Sequence, residues 1–265
     1  MDPTPTPLTP FQSRAHSFNP AAANYAAHRP SYPPALLDAL ELLSGRPLAT
    51  AQVADIGAGT GIATAVLRSR GAHVIAVEPG EGMAAELHRA HPDVPLLRGD
   101  GNALPLADAS VDLLTYAQAW HWTDPARSVP EALRVLRPGG ALALWWNTTA
   151  TDVPWQHAQA ERLRTFFGTD ESPTPLAGGH PPSLTQAQDP TRDLTFVRRF
   201  IRWSRRVPLD THLANLATHS AFLVLGPEVT SHFLAEERTH LLALFPAAQL
   251  EETYVVDLNV ACKPS

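Results

Sequence analysis

The apolar residues of this chain fall into two spacings. Short unbroken runs at 52–56, 73–78, 94–98, 111–116 and 141–146 end in glycine, an acid or a polar residue. Runs of that length, apolar on both faces, predict buried parallel strands. Between them, apolar positions three and four apart predict helices over 34–43, 60–69, from the turn at 79–83 to about residue 90, and over 125–136. Glycines 45 and 71 sit where two of these helices should stop. Strands alternating with helices predict an α/β fold with a parallel sheet. Further along, the spacing predicts a helix over 154–167, a strand over 196–203, helices over 209–216 and 229–244, and a last strand over 250–261. That last strand puts Tyr254, Val256, Leu258 and Val260 on one face. Two stretches break the pattern. Residues 1–15 are rich in proline and threonine and predict a disordered tail, and 168–190 is a long segment rich in Pro, Gly, Thr and Gln. No internal repeat is present in the sequence.

The densest signal is Val53-Ala54-Asp55-Ile56-Gly57-Ala58-Gly59-Thr60-Gly61, a predicted strand that ends in alternating glycines and opens a helix. Missing side chains let a ligand approach the backbone, and the free N–H groups of the first helical turn point at it. The spacing is G-x-G-x-G, whereas a dinucleotide fold prefers G-x-G-x-x-G. Asp55 stands two residues before Gly57, where it would repel a pyrophosphate and suit a ligand carrying a cationic group. Glu78 closes the second strand and is placed to accept hydrogen bonds from both hydroxyls of a ribose. Asp100 either accepts from an adenine amine, with the backbone of Gly101 and Asn102 pairing the ring nitrogens, or closes an Asx-turn. Met83 packs on the adenine or in the core. In an open α/β sheet ligands lie beyond the carboxyl ends of the strands. Ala117, Gln118, Trp120, His121 and Trp122 follow strand four, and Asn147 ends strand five, so all are expected at the site. His121 is the candidate general base, because imidazole titrates near neutrality; the other reading packs it between the two tryptophans. Gly139 and Gly140 are expected to supply positive φ in the turn into strand five.

Asp-Ile-Gly-Ala-Gly-Thr-Gly resembles the first motif of class I S-adenosylmethionine (SAM) methyltransferases. Gly99-Asp100, Leu104-Pro105, Asp108, Ser110 and Asp112 are spaced as in the adenine loop of a small-molecule subgroup, the trans-aconitate-methyltransferase-like or methyltransferase type 11 proteins. Gln118-Ala119-Trp120-His121-Trp122 with Asp124, Leu136-Arg137-Pro138-Gly139-Gly140 and Trp146-Asn147 are similar to that subgroup's segments. So are Phe18-Asn19 with Tyr25 and Arg29-Pro30 with Tyr32-Pro33, a segment that also reads as a hydrophobic staple for the helix at 34–43. The resemblance implies a Rossmann-like, doubly wound, mostly parallel seven-stranded sheet with the last strand antiparallel. It implies a lid that brings Tyr25 and Arg29 to the ligand, Arg29 near its carboxylate. It implies residues 16–50 as lid and helix, 51–150 as the SAM-binding core, 151–190 as an insertion capping the acceptor, and 191–265 completing a single domain. The implied activity is methyl transfer to a small organic acceptor such as a carboxylate, hydroxyl, phenol or activated carbon, leaving S-adenosylhomocysteine. Trp120, His121, Trp122 and Asn147 would face the acceptor. Two other readings stand beside it: a SAM-binding protein with non-methylating, cyclase-like chemistry, and an NAD-dependent oxidoreductase.

Composition narrows the classes. A chain of 265 residues with net charge −6 suits one α/β domain with embellishments. All but one of its 20 basic residues are arginine, Lys263 being the exception. No basic patch is interleaved with aromatics, so no nucleic-acid partner is expected. The arginines at 198–199 and 202–206 are expected on a solvated strand edge that discourages aggregation. The single cysteine, Cys262, excludes an intrachain disulfide and fits a reducing compartment. Without an apolar run long enough for a bilayer or a signal-peptide pattern at the start, the expectation is a cytoplasmic, non-membrane monomer or homodimer. The 12 histidines form no H-x-H or H-E-x-x-H pair, so no metal is expected. Arginine-rich, lysine-poor usage suggests secondary metabolism by analogy alone.

Overall fold

A computed structural model of the chain describes residues 21–168 and 194–264. The tail predicted for 1–15 and nearly all of the long 168–190 segment lie outside the described residues. Two helices come first, α1 (Ala22–His28) and α2 (Pro34–Ser44). Then follow β1 (Gln52–Ile56), α3 (Ile62–Ser69), β2 (His73–Val77), α4 (Glu81–Ala90), β3 (Leu96–Leu97) and β4 (Val111–Ala117). After a 3₁₀ turn at Trp120–Trp122 come α5 (Pro125–Val135), β5 (Leu136–Thr149) and α6 (Pro154–Phe167). The chain ends with β6 (Val197–Pro208), α7 (Leu209–Ala217), α8 (Ser220–Leu225), α9 (Pro227–Leu244) and β7 (Gln249–Cys262). The strand order is β3-β2-β1-β4-β5-β7-β6, and β7 alone runs against the others. The seven-stranded, doubly wound sheet with an antiparallel last strand is therefore as expected.

The period-two alternation of buried strands builds a core on each side. In β5, Ala143 and Trp145 point to the face covered by α2 and α3, where Leu36, Leu40 and Leu67 pack. Leu142, Leu144 and Trp146 point to the other, where Tyr116, Trp120, Val129 and Val135 pack. Both tryptophans of β5 are fully buried, which is why a strand with no polar face sits at the sheet's centre. β6 is an edge strand, as its arginines suggested. Arg198 bonds Asp257, Arg202 bonds Asp152 and Arg205 bonds Glu252 across that edge.

Three local expectations change. Residues 22–28 form α1, which the alanine-rich stretch did not announce; it is tied down by tertiary contacts rather than by amphipathic spacing. β5 begins at Leu136, before the predicted turn, because the chain bulges where the register shifts between Val111 and Leu113. Within that bulge Gly139 has φ 69° as expected, but Gly140 is not in the left-handed region. Space requires Gly140 instead: a Cβ there would sit 2.9 Å from the carbonyl oxygen of Arg137. Among the described residues no helix is long and apolar enough to cross a membrane, and no group of three or more His, Cys, Asp or Glu stands together as a metal site.

Candidate active site

The glycine turn leaves β1 at the carboxyl end of the sheet. Gly57, Gly59 and Gly61 all take positive φ, at 65°, 58° and 91°. A Cβ on Gly57 would come within 2.6 Å of the Ala119 Cβ, whereas one on Gly59 would meet nothing closer than 4.0 Å. The first glycine thus lets β1 and the end of β4 pack together, and the second keeps an open face. Glu78 holds this turn from the tip of β2. Its Oε2 accepts from the Gly59 N–H at 2.8 Å and its Oε1 from the Gly80 N–H at 2.7 Å. Burial pushes its pKa up, opposed by those two backbone bonds.

Asp55 lies beneath the turn and is fully buried. Its carboxylate accepts from the hydroxyls of Thr64 at 2.7 Å and Thr115 at 3.0 Å, so the acid braces the turn from within. Burial, partly offset by those hydroxyls, raises its pKa to about 6. The folded pKa lies above the unfolded one, so the folded chain holds this proton more tightly. The stability that Asp55 contributes is therefore present in acid and lost as pH rises through about 6. A displacement of about two pKa units corresponds to roughly 3 kcal/mol. We expect Asp55→Asn to remove most of the drop in melting temperature between about pH 4 and about pH 6.5. An equal drop in both proteins, by scanning calorimetry, would show that Asp55 does not titrate in this way.

Beyond the turn is a cavity of about 290 Å³, enclosed by the ends of β4 and β5, by α1, and by α6, α7 and β7. Of the residues expected at the site, the structure brings Tyr25, Arg29, Gly57, Gly59, Ala117, Gln118 and Asn147 to its wall. Arg29 lies 4.9 Å from the Tyr25 ring centroid and donates from Nη2 to the Thr218 carbonyl at 3.2 Å. Asn147 Oδ1 accepts from Trp203 Nε1 at 3.0 Å, which fixes its amide with Nδ2 the other way. Gln118 is held at φ 59°, a strained conformation for a side chain and one concentrated at ligand sites. Among the described residues, four that line this cavity each carry one buried polar atom without a hydrogen-bond partner: Arg29 Nε, Thr60 Oγ1, Asn147 Nδ2 and Asn215 Oδ1. Each such atom costs about 1–3 kcal/mol unless a ligand satisfies it. Cation, donors and open glycine face together fit a zwitterionic ligand with a carboxylate.

Other expected residues stand apart from this wall. Met83 is buried on α4. The Asp100 side chain closes an Asx-turn, accepting from the Asn102 N–H at 2.7 Å, and is exposed. Asn102 Oδ1 accepts from the Asp124 N–H, and Gly101 is required by Tyr116 and Thr123, which a Cβ would strike. Trp120 is core, packed edge-to-face on Tyr116 at 4.8 Å. His121 stacks obliquely on Trp122 and its Nδ1 accepts from Trp146 Nε1 at 3.3 Å. Burial pulls its pKa down to about 4, so it does not titrate near neutrality.

Sequence reading missed the far wall. Glu252 lies on β7, His212 on α7, Gln159 on α6 and Glu237 on α9. His212 Nδ1 faces Glu252 Oε1 at 2.7 Å, and its Nε2 faces Gln159 Nε2 at 2.9 Å. Gln159 Nε2 also donates to Glu237 Oε1 at 2.9 Å. No local motif links residues so far apart in sequence; only an isolated polar residue within each apolar pattern hinted at them.

The chain matches a family model described as a methyltransferase domain over residues 54–144. It is 37% identical over 231 residues to an uncharacterised methyltransferase of Mycobacterium tuberculosis, covering 87% of both chains. It is 34% identical over 158 residues to a demethylmenaquinone methyltransferase of Beutenbergia cavernae, covering 58% of this chain and 62% of that one. Among solved structures, a type II methyltransferase assignment from Anaeromyxobacter dehalogenans superposes with a TM-score of 0.66 at 27% identity, covering 89% of this chain and 99% of that one. The chain belongs to the class I SAM-dependent methyltransferases. Its cofactor is SAM, and the nicotinamide reading falls with that assignment.

Proposed function

We propose that this protein transfers the methyl group of SAM to a small organic acceptor bound in the cavity beyond the glycine turn. The observation that carries the reading is a cavity continuous with the glycine turn, four of whose lining residues each carry a buried polar atom that the protein leaves unsatisfied. A concave cavity of about 290 Å³ suits a small molecule, not a folded partner. In this reading Arg29 and Asn147 hold the carboxylate end of SAM. Glu78 takes the ribose hydroxyls, and the segment from Asp100 to Asn102 takes the adenine. Asp55 supports the turn. Bound SAM supplies a methyl already activated on a sulfonium sulfur. The protein's own task is to align the acceptor and keep water out, and alignment alone is worth about 7–11 kcal/mol of barrier. The test is a metabolite pool incubated with isotope-labelled SAM and read by mass spectrometry. We expect a labelled small molecule and a matching yield of S-adenosylhomocysteine. SAM bound by calorimetry but returned unchanged, or converted without a methylated product, would favour the non-methylating, cyclase-like alternative.

A further inference from the structure

Gln159, His212 and Glu252 on the far wall of the cavity belong to a polar chain that the binding of SAM does not account for. It starts at Arg162, whose Nε and Nη2 both reach Glu237 at 2.6 Å. It passes through Gln159 to His212, on to Glu252, and ends at Arg205, whose Nε lies 2.5 Å from Glu252 Oε2. Each carboxylate thus has its own arginine. Burial alone would raise the Glu252 pKa, but the bond from His212 and the guanidinium of Arg205 hold it below the usual carboxylate range. The protonation pattern follows from the bonds. Glu237 accepts, so the Gln159 atom that meets it is the NH₂ group, and that same NH₂ donates to His212 Nε2. His212 Nε2 therefore carries a lone pair, and Nδ1–H points at Glu252. Trp155 packs edge-on against the ring at 5.4 Å and fixes its plane.

What this wall offers a ligand is acceptors. Asn215 donates its amide to the Tyr254 hydroxyl at 3.3 Å and leaves Oδ1 unpartnered. Both polar atoms of Gln156 are spent on the Thr253 backbone. A carboxylate acceptor would meet two lone-pair atoms, Asn215 Oδ1 and His212 Nε2, and the negative charge of Glu252. A hydroxyl satisfies them. It can take the place of the Gln159 N–H on Nε2 while Gln159 keeps its bond to Glu237.

Resting on the proposed methyl transfer, we infer that the acceptor is a neutral hydroxyl compound and that His212, oriented by Glu252, is its general base. The acceptor oxygen forms a bond to the methyl carbon as the carbon–sulfur bond breaks, and that electron pair returns to sulfur. The hydroxyl proton passes to His212 Nε2, and the imidazolium is stabilised by Glu252. The products are a methyl ether and a neutral thioether.

The experiment uses the full isotope-labelled chain with S-adenosylhomocysteine, and phenol or benzoate as probes. Histidine-nitrogen NMR should show His212 as the Nδ1–H tautomer. Its Nε2 resonance should move with phenol and not with benzoate. An Nε2–H tautomer, or a resonance indifferent to phenol, overturns the assignment. Labelled methyl should pass from SAM to phenol, and His212→Gln should lower that turnover by about 10²–10⁴-fold. SAM affinity, by calorimetry, should stay native in that variant. The charged and titratable groups packed around His212 are Glu252 and Tyr254 on β7, Glu237 on α9, Arg162 on α6 and Arg205 on β6. Should His212→Gln fail to fold, Glu252→Gln keeps an acceptor for Nδ1–H and must still slow transfer. Equal turnover in a folded variant, or transfer to benzoate in preference, sinks the inference. Failure of the wild type to bind SAM would instead sink the proposed function itself.

Discussion

Replacing Glu78 with alanine should weaken SAM binding by at least about a hundredfold while the sheet stays folded. A hydrogen bond to a charged group is worth about 1.5–3 kcal/mol, and a hundredfold is about 2.7 kcal/mol. Glu78 makes two such bonds to the protein before any ligand arrives, to the N–H groups of Gly59 and Gly80. Its removal loosens the turn and strips the ribose of its acceptor together. Glu78→Gln should fall between, because it keeps one oxygen but sets an NH₂ against a backbone N–H. Calorimetric titration with SAM gives the answer. An alanine variant within a few-fold of native affinity would remove Glu78 from the site.

The two neighbouring glycines should separate stability from binding. Both have φ near 60°, so alanine at either costs about 1–2 kcal/mol of backbone strain. At Gly57 the new methyl also collides with Ala119, and overpacking adds about 1–3 kcal/mol. Gly57→Ala should therefore lower stability by about 2–5 kcal/mol, enough to unfold much of a marginally stable chain. At Gly59 the methyl points into open space, so Gly59→Ala should cost only the strain yet block the approach of ligand to backbone. Denaturant melts paired with SAM titrations measure both. Equal losses of stability in the two variants would contradict the packing described for Gly57.

The division between what the sequence revealed and what it hid follows the range of the interactions. Strands β1, β4 and β7, and helix α6, were legible because a buried strand or an amphipathic helix writes its period into consecutive residues. The glycine turn was legible for the same reason, since conformation and close approach act on neighbours. The far wall was not. His212 and Glu252 meet only because α7 packs over the start of β7, and nothing near either residue in the chain encodes the other. Trp120 and His121 follow β4 as expected, but the direction of their side chains was not legible: the 3₁₀ turn at Trp120–Trp122 packs them against Tyr116 and Trp146. Asp55 was expected to face a cation, and instead its two hydroxyl partners lie inside the fold.

The reversed direction of β7 has a consequence for how such a protein changes its chemistry. Because β7 runs against β5, with Thr149 opposite Tyr254, its opening residues rather than its closing ones arrive at the working end of the sheet. Side chains alternate along it, so Glu252 and Tyr254 look into the cavity while their neighbours look away. The phase of that alternation is set just upstream, where Ala248 at φ 52° accepts from the Leu209 N–H and donates to the Phe245 carbonyl. With the register counted from this short connection, a single-residue deletion would bring Thr253 to the position of Glu252, whereas an insertion would bring Glu251 there. Such a deletion would change the charge of this wall of the cavity while leaving the glycine turn in place.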